Sequence, residues 1–155
     1  MKKLFTFIAA LLLLSACSSD AASSTKPSQP ESDKGTVPMK LKIHVNDTTF
    51  TATLADNSSA KALVELLQKG DLTLDMEDFS NFEKVADLPV TLPRNDTPTD
   101  TDAGDLILYL GKRIVIYYDK NSWDFTPLGK IDNVNKKRLK QILGDGNATV
   151  TFSVK

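Results

Sequence analysis

The residue types that most often carry out chemistry are scarce in this chain. Its 155 residues include one cysteine, Cys17, and one histidine, His44. A structural zinc site needs a set of cysteine and histidine ligands, and nucleophilic catalysis needs a nucleophile beside a base such as histidine. The sequence therefore offers no internal disulfide and no cysteine-histidine cluster, and we expect neither a metal nor a cofactor.

Acidic residues suggest two other chemistries, but neither has the required pattern. Four carboxylates lie close enough in sequence to pair as acid and base: Asp75, Glu77, Asp78 and Glu83. Nothing in the sequence separates their environments, as acid and base roles require, so we interpret them as solvated loop residues. A calcium-binding EF-hand loop counted from Asp100 would need Gly at its sixth position and an acidic residue at its twelfth, where the chain has Asp105 and Gly111. Only an irregular calcium site stays as an alternative.

Large apolar side chains and two charged residues form the best candidate for a binding site. We expect an apolar cleft at the mouth of the fold with six contributing residues: Met76, Phe79, Phe82, Trp123, Glu83 and Arg113. Aromatic side chains dominate binding surfaces because one rigid group covers a large area. The planar fork of arginine suits a carboxylate or a carbonyl. The alternative is that the aromatic residues belong to the core and that Arg113 is a solvated charge.

The first residues have the pattern of a secretory signal. Two lysines precede an uncharged run of 11 residues at positions 4–14, which is shorter than the roughly 20 residues of a membrane-spanning helix but typical of a signal-peptide core. The segment Leu14-Ser15-Ala16-Cys17 that follows resembles the bacterial lipobox. The resemblance implies that a signal peptide at 1–16 is removed and that the Cys17 sulfur carries diacylglycerol. The protein would then be anchored by lipid to the extracytoplasmic face of the cell membrane.

Residues 17–38 have the composition of a disordered tether. The segment 18–38 contains six Ser, two Thr and three Pro, and such a segment cannot bury enough apolar surface to offset the entropy of ordering. The chain as a whole has 19 basic and 20 acidic side chains, so it lacks the positive field of a nucleic-acid binder. We expect a monomer made of this tether and one domain at 39–155.

Alternation of apolar and polar residues predicts that the domain is mainly β. Strands are predicted at 39–45, 50–54, 72–76, 105–110, 113–118 and 148–154, with helices at 60–68 and 134–143. The region 78–104 is predicted as a long loop, with short strands at 83–85 and 90–92 as an alternative. The hairpin at 105–118 is apolar on both faces, which indicates a central position. Seven or eight strands can close into a barrel, which removes exposed edges.

Several strings, in order along the domain, resemble the bacterial cyclophilin-like domain family. They are TATLADN at 51–57 before AKAL at 60–63, LTLDMED at 72–78, EK at 83–84 before DLP at 87–89, AGDLILY at 103–109, and FTPLGKI at 125–131. The resemblance implies a small closed barrel, in a family mostly without assigned activity. With the two helices predicted from residue spacing, we expect a mainly β, closed cyclophilin-like barrel with two short helices.

The resemblance transfers no catalytic residue. Peptidyl-prolyl isomerases of the cyclophilin type use an arginine near a Phe-x-x-Gln pattern, and the sequence contains no such pattern. We therefore expect a non-catalytic module that binds a small ligand, a peptide or an envelope protein. The alternatives are an isomerase-like folding factor for exported proteins and a structural accessory domain of an envelope complex.

Overall fold

Apolar and polar residues alternate strictly along the first strand, and this pattern decides which face of the strand is buried. The computed structural model describes residues 39–154. In its first strand, Leu41, Ile43 and Val45 are fully buried, and the residues between them are exposed. A tight turn at Asn46, whose φ is 51°, leads into an antiparallel partner strand. A strand with one wet face and one buried face is the outcome expected from this pattern.

Nine strands and two helices make up residues 39–154. In chain order they are β1 (Lys40–Val45), β2 (Thr48–Leu54), α1 (Ser58–Gln68), β3 (Leu72–Phe79), β4 (Glu83–Asp87), β5 (Thr97–Thr101), β6 (Asp105–Tyr109), β7 (Arg113–Tyr117), β8 (Asn121–Ile131), α2 (Lys136–Leu143) and β9 (Ala148–Ser153). Both helices fall on predicted segments. Each begins at an asparagine, Asn57 or Asn135, whose side chain accepts a hydrogen bond from the first turn.

Eight of the strands close into a barrel. Their order is β2-β1-β9-β3-β4-β7-β6-β8, and pairing between β2 and β8 joins the two ends. The ninth strand, β5, pairs only with the first half of the long strand β8. The predicted fold, a mainly β closed barrel with two short helices, is confirmed.

The region 78–104 differs most from the sequence prediction. It contains β4 and β5 instead of a continuous loop, and 90–92 is not a strand. Because Asp75, Glu77, Asp78 and Glu83 lie on β3 and β4, interpreting them as loop carboxylates is wrong. The polar sequence of β5, TPTDT, has no apolar alternation, and its strand conformation comes from pairing with β8.

A buried lysine joins β4 to the end of α2. Lys84 is fully buried, and its Nζ donates to Asp78 Oδ1 at 2.7 Å, to the Gly144 carbonyl at 3.0 Å and to the Gly146 carbonyl. The Tyr118 hydroxyl also donates to Asp78. Burial alone would raise the pKa of Asp78, but the hydrogen bonds from Lys84 and Tyr118 outweigh burial and hold that pKa below its ordinary value. A buried ammonium needs such a set of partners.

The barrel closes at Gly129 of β8, where the backbone of β2 comes very near. Gly129 pairs with Leu54 on one side and with Leu106 on the other. A Cβ atom at Gly129 would lie 2.4 Å from the Thr53 carbonyl oxygen, which is far inside van der Waals contact. Only glycine lets β2 approach β8 closely enough to complete the barrel.

We expect the Gly129→Ala variant to lose about 1–3 kcal/mol of folding free energy, since the added methyl group must push two backbones apart. Thermal unfolding followed by circular dichroism measures the loss. Gly70→Ala is the matched control because its Cβ would meet no atom within 4 Å. Equal melting temperatures for the two variants would contradict the proposed constraint on closure.

Candidate binding site

The outer face of the barrel carries a second apolar cluster, separate from the core. Along β4, β7, β6 and β8, alternate residues point away from the barrel interior. The cluster consists of buried Ile107, Val115, Tyr117 and Phe125, with Phe82, Val85 and Tyr109 packed against them. The intervening residues of β6 and β7, Leu106, Leu108, Ile114 and Ile116, belong to the barrel core. This arrangement explains why the central hairpin is apolar on both faces.

A cleft of about 420 Å³ opens over this outer cluster. Its lining residues are Phe79, Phe82, Glu83, Val85, Tyr109, Arg113, Val115, Tyr117, Asn121, Trp123 and Phe125. We expected the cleft at the mouth of the barrel, whereas it lies on the outer wall. The reason is that the barrel interior is filled by side chains, whereas the outward-pointing side chains of these four strands form an apolar cluster beside open space.

Aromatic rings form a continuous row through the cleft. Phe82 stacks on Tyr117 with ring centres 6.1 Å apart, and Tyr117 meets Phe125 at 5.7 Å. Phe79 and Tyr109 extend the row at its two ends, at 5.8 Å from Phe82 and 6.2 Å from Phe125. These distances and tilts are typical of favourable aromatic contacts. The row therefore gives the cleft a rigid apolar wall.

Two of the lining aromatic residues are exposed to a degree unusual for their size. Trp123 is 65% exposed and Phe79 is 55% exposed, and both lie at the rim of the cleft. Large apolar groups that face solvent together mark places where another molecule binds.

Glu83 places a carboxylate against the aromatic wall. It lies directly opposite Tyr117 in the pairing of β4 with β7. Its Oε2 atom is buried, and no group in residues 39–154 forms a hydrogen bond with it. Burial raises the pKa of Glu83, and a hydrogen bond from the Tyr117 side chain opposes this rise only in part. Asn121 Nδ2 donates to Tyr117 Oη at 3.3 Å, so the hydroxyl of the residue opposite Glu83 is held by a neighbouring side chain.

The opposite end of the cleft carries an ion pair. Arg113 lies opposite Asp87 in the same strand pair, and its Nε atom donates to Asp87 Oδ1 at 3.0 Å. Both side chains are exposed. Since Glu83 and Asp87 are four residues apart on β4, the two polar ends are separated by about 13 Å. The apolar floor between them is formed by Val85 and Val115.

Five of the six predicted site residues meet in this cleft: Phe79, Phe82, Glu83, Arg113 and Trp123. Met76 does not, because it points to the other face of β3 and is fully buried in the barrel core. Sequence reasoning did not include Val85, Tyr109, Val115, Tyr117, Asn121 and Phe125 in the site. The signal that could have identified Tyr109, Val115 and Tyr117 is the apolar character of both faces of the hairpin. Cys17 lies outside the described residues.

The described part of the chain shows no cluster of metal-ligating side chains. No three His, Cys, Asp or Glu side chains within residues 39–154 are placed to hold a metal ion. His44 is on the exposed face of β1, where its ring contacts Thr49 Oγ1 at 3.0 Å. Over the same residues, neither helix is long and apolar enough to span a membrane.

Replacing Glu83 by Gln should stabilise the fold at neutral pH. Folding raises the pKa of Glu83 above its ordinary value of 4.5, because the folded protein favours the protonated carboxyl group. The free energy of unfolding therefore falls as the pH rises from about 4.5 through the pKa of the folded state. Above that range the buried charge carries its full cost, which a neutral amide avoids. We expect the melting temperature of Glu83→Gln to exceed that of the parent at neutral pH and to approach it in acid.

Thermal unfolding over a pH series measures this difference, and Glu77→Gln is its control. Glu77 is exposed on β3, so the same substitution there should leave the melting temperature within a degree or two at every pH. A gain of the same size in both variants would show that net charge, and not burial of Glu83, is responsible.

Comparison with known proteins agrees with the fold. The chain is similar to the solution structure of a hypothetical protein from Archaeoglobus fulgidus, with a TM-score of 0.56 and 15% sequence identity over 77% of this chain and 96% of that one. No curated protein matches the chain significantly. The model of the cyclophilin-like family matches residues 43–153, which include every strand of the barrel except the start of β1 and all lining residues of the cleft. The chain belongs to the cyclophilin-like family.

Proposed function

We propose that this protein is a lipid-anchored envelope protein whose cyclophilin-like barrel is a non-catalytic binding module. The observation that carries the proposal is the cleft on the outer wall, where a continuous row of aromatic rings borders a volume of about 420 Å³. Ligand sites are concave, mostly apolar and supplied with a few polar groups. The cleft has this composition, with Glu83 at one end and the Arg113–Asp87 pair at the other.

The rigidity of the cleft supports binding. Except for Phe82, which lies in the turn between β3 and β4, its residues lie on paired strands, and sites on such elements hold their geometry better than sites on loops. The exposed faces of Trp123 and Phe79 give a ligand apolar area that the folded chain leaves in water. Burial of that area would favour association by about 25 cal/mol per Å².

Prolyl isomerisation is the second candidate, favoured by family membership and by the arginine in the cleft. Two features argue against it. The guanidinium of Arg113 is already paired with Asp87, and the sequence lacks the Phe-x-x-Gln pattern of cyclophilin-type isomerases. A fold by itself does not determine activity.

The membrane anchor rests on the sequence of residues 1–38. Two lysines, an apolar run of 11 residues and Leu14-Ser15-Ala16-Cys17 support acylation of Cys17. Two or more acyl chains are needed for durable anchoring. In this proposal, residues 18–38 connect the anchored cysteine to the barrel on the extracytoplasmic side, within reach of ligands in the envelope.

Metabolic labelling with a fatty acid tests the anchor. We expect the full chain, expressed in a bacterial host, to incorporate label and the Cys17→Ala variant to show only background, since the chain has no other cysteine. Ser18→Ala is the neighbouring control and should keep the label. Label that persists in Cys17→Ala would contradict the anchor.

Fluorine NMR of Trp123 tests the cleft, because it is the only tryptophan in the chain. With 5-fluorotryptophan in this position, benzyl alcohol as an apolar probe should cause a saturable shift in the full chain held in a maltoside detergent. Val115→Phe fills the floor of the cleft and should weaken the probe at least about tenfold, equal to about 1.4 kcal/mol. Phe82→Ala, which removes part of the wall, is a second variant that avoids overpacking.

Val90→Phe is the matched control, since Val90 is 43% exposed and does not line the cleft. It should leave the titration unchanged. An unchanged titration in folded Val115→Phe and Phe82→Ala would contradict binding in the cleft. Catalysis of prolyl isomerisation by the full chain, lost in Arg113→Ala, would favour the enzyme.

A further inference from the structure

We propose that the Glu83 end of the cleft binds a small organic cation, a protonated amine with an apolar body, whose ammonium group pairs with the Glu83 carboxylate. The inference rests on the proposed binding function and names the chemical class of its ligand. Its basis is the placement, among aromatic rings, of a carboxylate that has no cationic partner in residues 39–154.

The first step is the state of the carboxylate. Glu83 Oε2 is buried at the cleft and accepts no hydrogen bond from any group of residues 39–154. In the same residues, no lysine or arginine lies within ion-pair distance of it, although seven other acidic side chains have such a partner. A buried acceptor without a donor is costly. Because the Glu83 side chain lines the cleft, rotation of its carboxyl group would let this oxygen accept from an N–H group of a bound amine.

The second step is the surroundings of that carboxylate. Phe79 lies opposite Glu83 in the pairing of β3 with β4, lines the cleft and is 55% exposed. The negative face of an exposed ring attracts a cation within about 6 Å, most strongly where a bound ligand excludes water. The carboxylate and the rings therefore favour the same kind of ligand group, and the neighbouring apolar floor suits its hydrocarbon part.

The third step is the position of the chain's own cations. Arg113 lies about 13 Å away along the strand direction and is paired with Asp87. Lys84 follows Glu83 in sequence but points to the opposite face of β4, where Asp78 and two carbonyl groups hold it. The Glu83 end of the cleft is thus locally negative, and no residue of the barrel neutralises it.

A matched pair of probes tests the inference. 3,3-Dimethylbutylamine is protonated at neutral pH, and 3,3-dimethylbutan-1-ol has the same shape and a hydrogen-bond donor but no charge. Both are titrated into the full chain with 5-fluorotryptophan at Trp123, in a neutral maltoside detergent. We expect the amine to bind at least about tenfold more tightly than the alcohol, as a charge pair and a cation-π contact in a dry site would give.

Two variants assign the preference to Glu83. In Glu83→Gln the amine should lose its advantage, so that both probes bind with similar affinity, whereas Glu77→Gln on the exposed side of β3 should keep it. Circular dichroism establishes that both variants are folded. A preference for the amine that persists in folded Glu83→Gln would overturn the assignment of Glu83 as the counter-ion.

Other outcomes separate this inference from the proposed function. Equal binding of amine and alcohol to the parent, or binding of benzyl alcohol without binding of the amine, would overturn the cation inference and leave the binding module in place. Failure of all three probes to shift the Trp123 signal would overturn both.

Discussion

The buried ammonium of Lys84 fixes the orientation of the strand from which the cleft is built. Because side chains alternate along a strand, a lysine held inside by Asp78 and two carbonyl groups forces Glu83 and Val85 to point outward. A shift of one residue in the pairing of β4 would bury Glu83 in the core and expose Lys84. The acceptors include the carbonyl of Gly144, just after α2, so the same ammonium also stabilises the end of that helix. One charged group thereby connects the helix, the barrel wall and the cleft.

Barrel closure explains why the cleft lies on the outer wall of the barrel and not in its interior. Eight strands enclose an interior filled by residues such as Leu106, Ile116 and Phe152, all fully buried. The close approach of β2 and β8 at Gly129 completes the ring around this filled interior. The β6–β7 hairpin therefore contributes one face to the core and presents its other face, with Val115 at the centre, to the cleft.

The sequence predicted those features that depend on local pattern. Alternation located β1, β3 and β9, and spacing of apolar residues located both helices. It could not predict β5, since Thr97–Thr101 is polar throughout and becomes a strand only by pairing with the first half of β8. The cleft was partly predictable for a similar reason: aromatic residue type indicated Phe82 and Trp123, but only strand register brings Tyr117 opposite Glu83. Met76 is apolar like the residues of the cleft wall. It lies in the core only because its side chain points to the inner face of β3.

Glu83 and Lys84 are adjacent charged residues on β4, but only the lysine has a full set of hydrogen-bond partners for its buried atoms. The lysine is deeper, yet its ammonium has three oxygen acceptors and its cost of burial is offset. The glutamate is nearer to solvent, yet one of its oxygens is buried without a donor and its pKa is raised by that burial. A chain selected only for stability would gain from a neutral residue at position 83, since uncompensated burial of a carboxylate lowers the free energy of unfolding. Groups held at such a cost are concentrated at functional sites, and here the cost falls at the end of the cleft where Phe79 and Tyr117 lie on either side of Glu83.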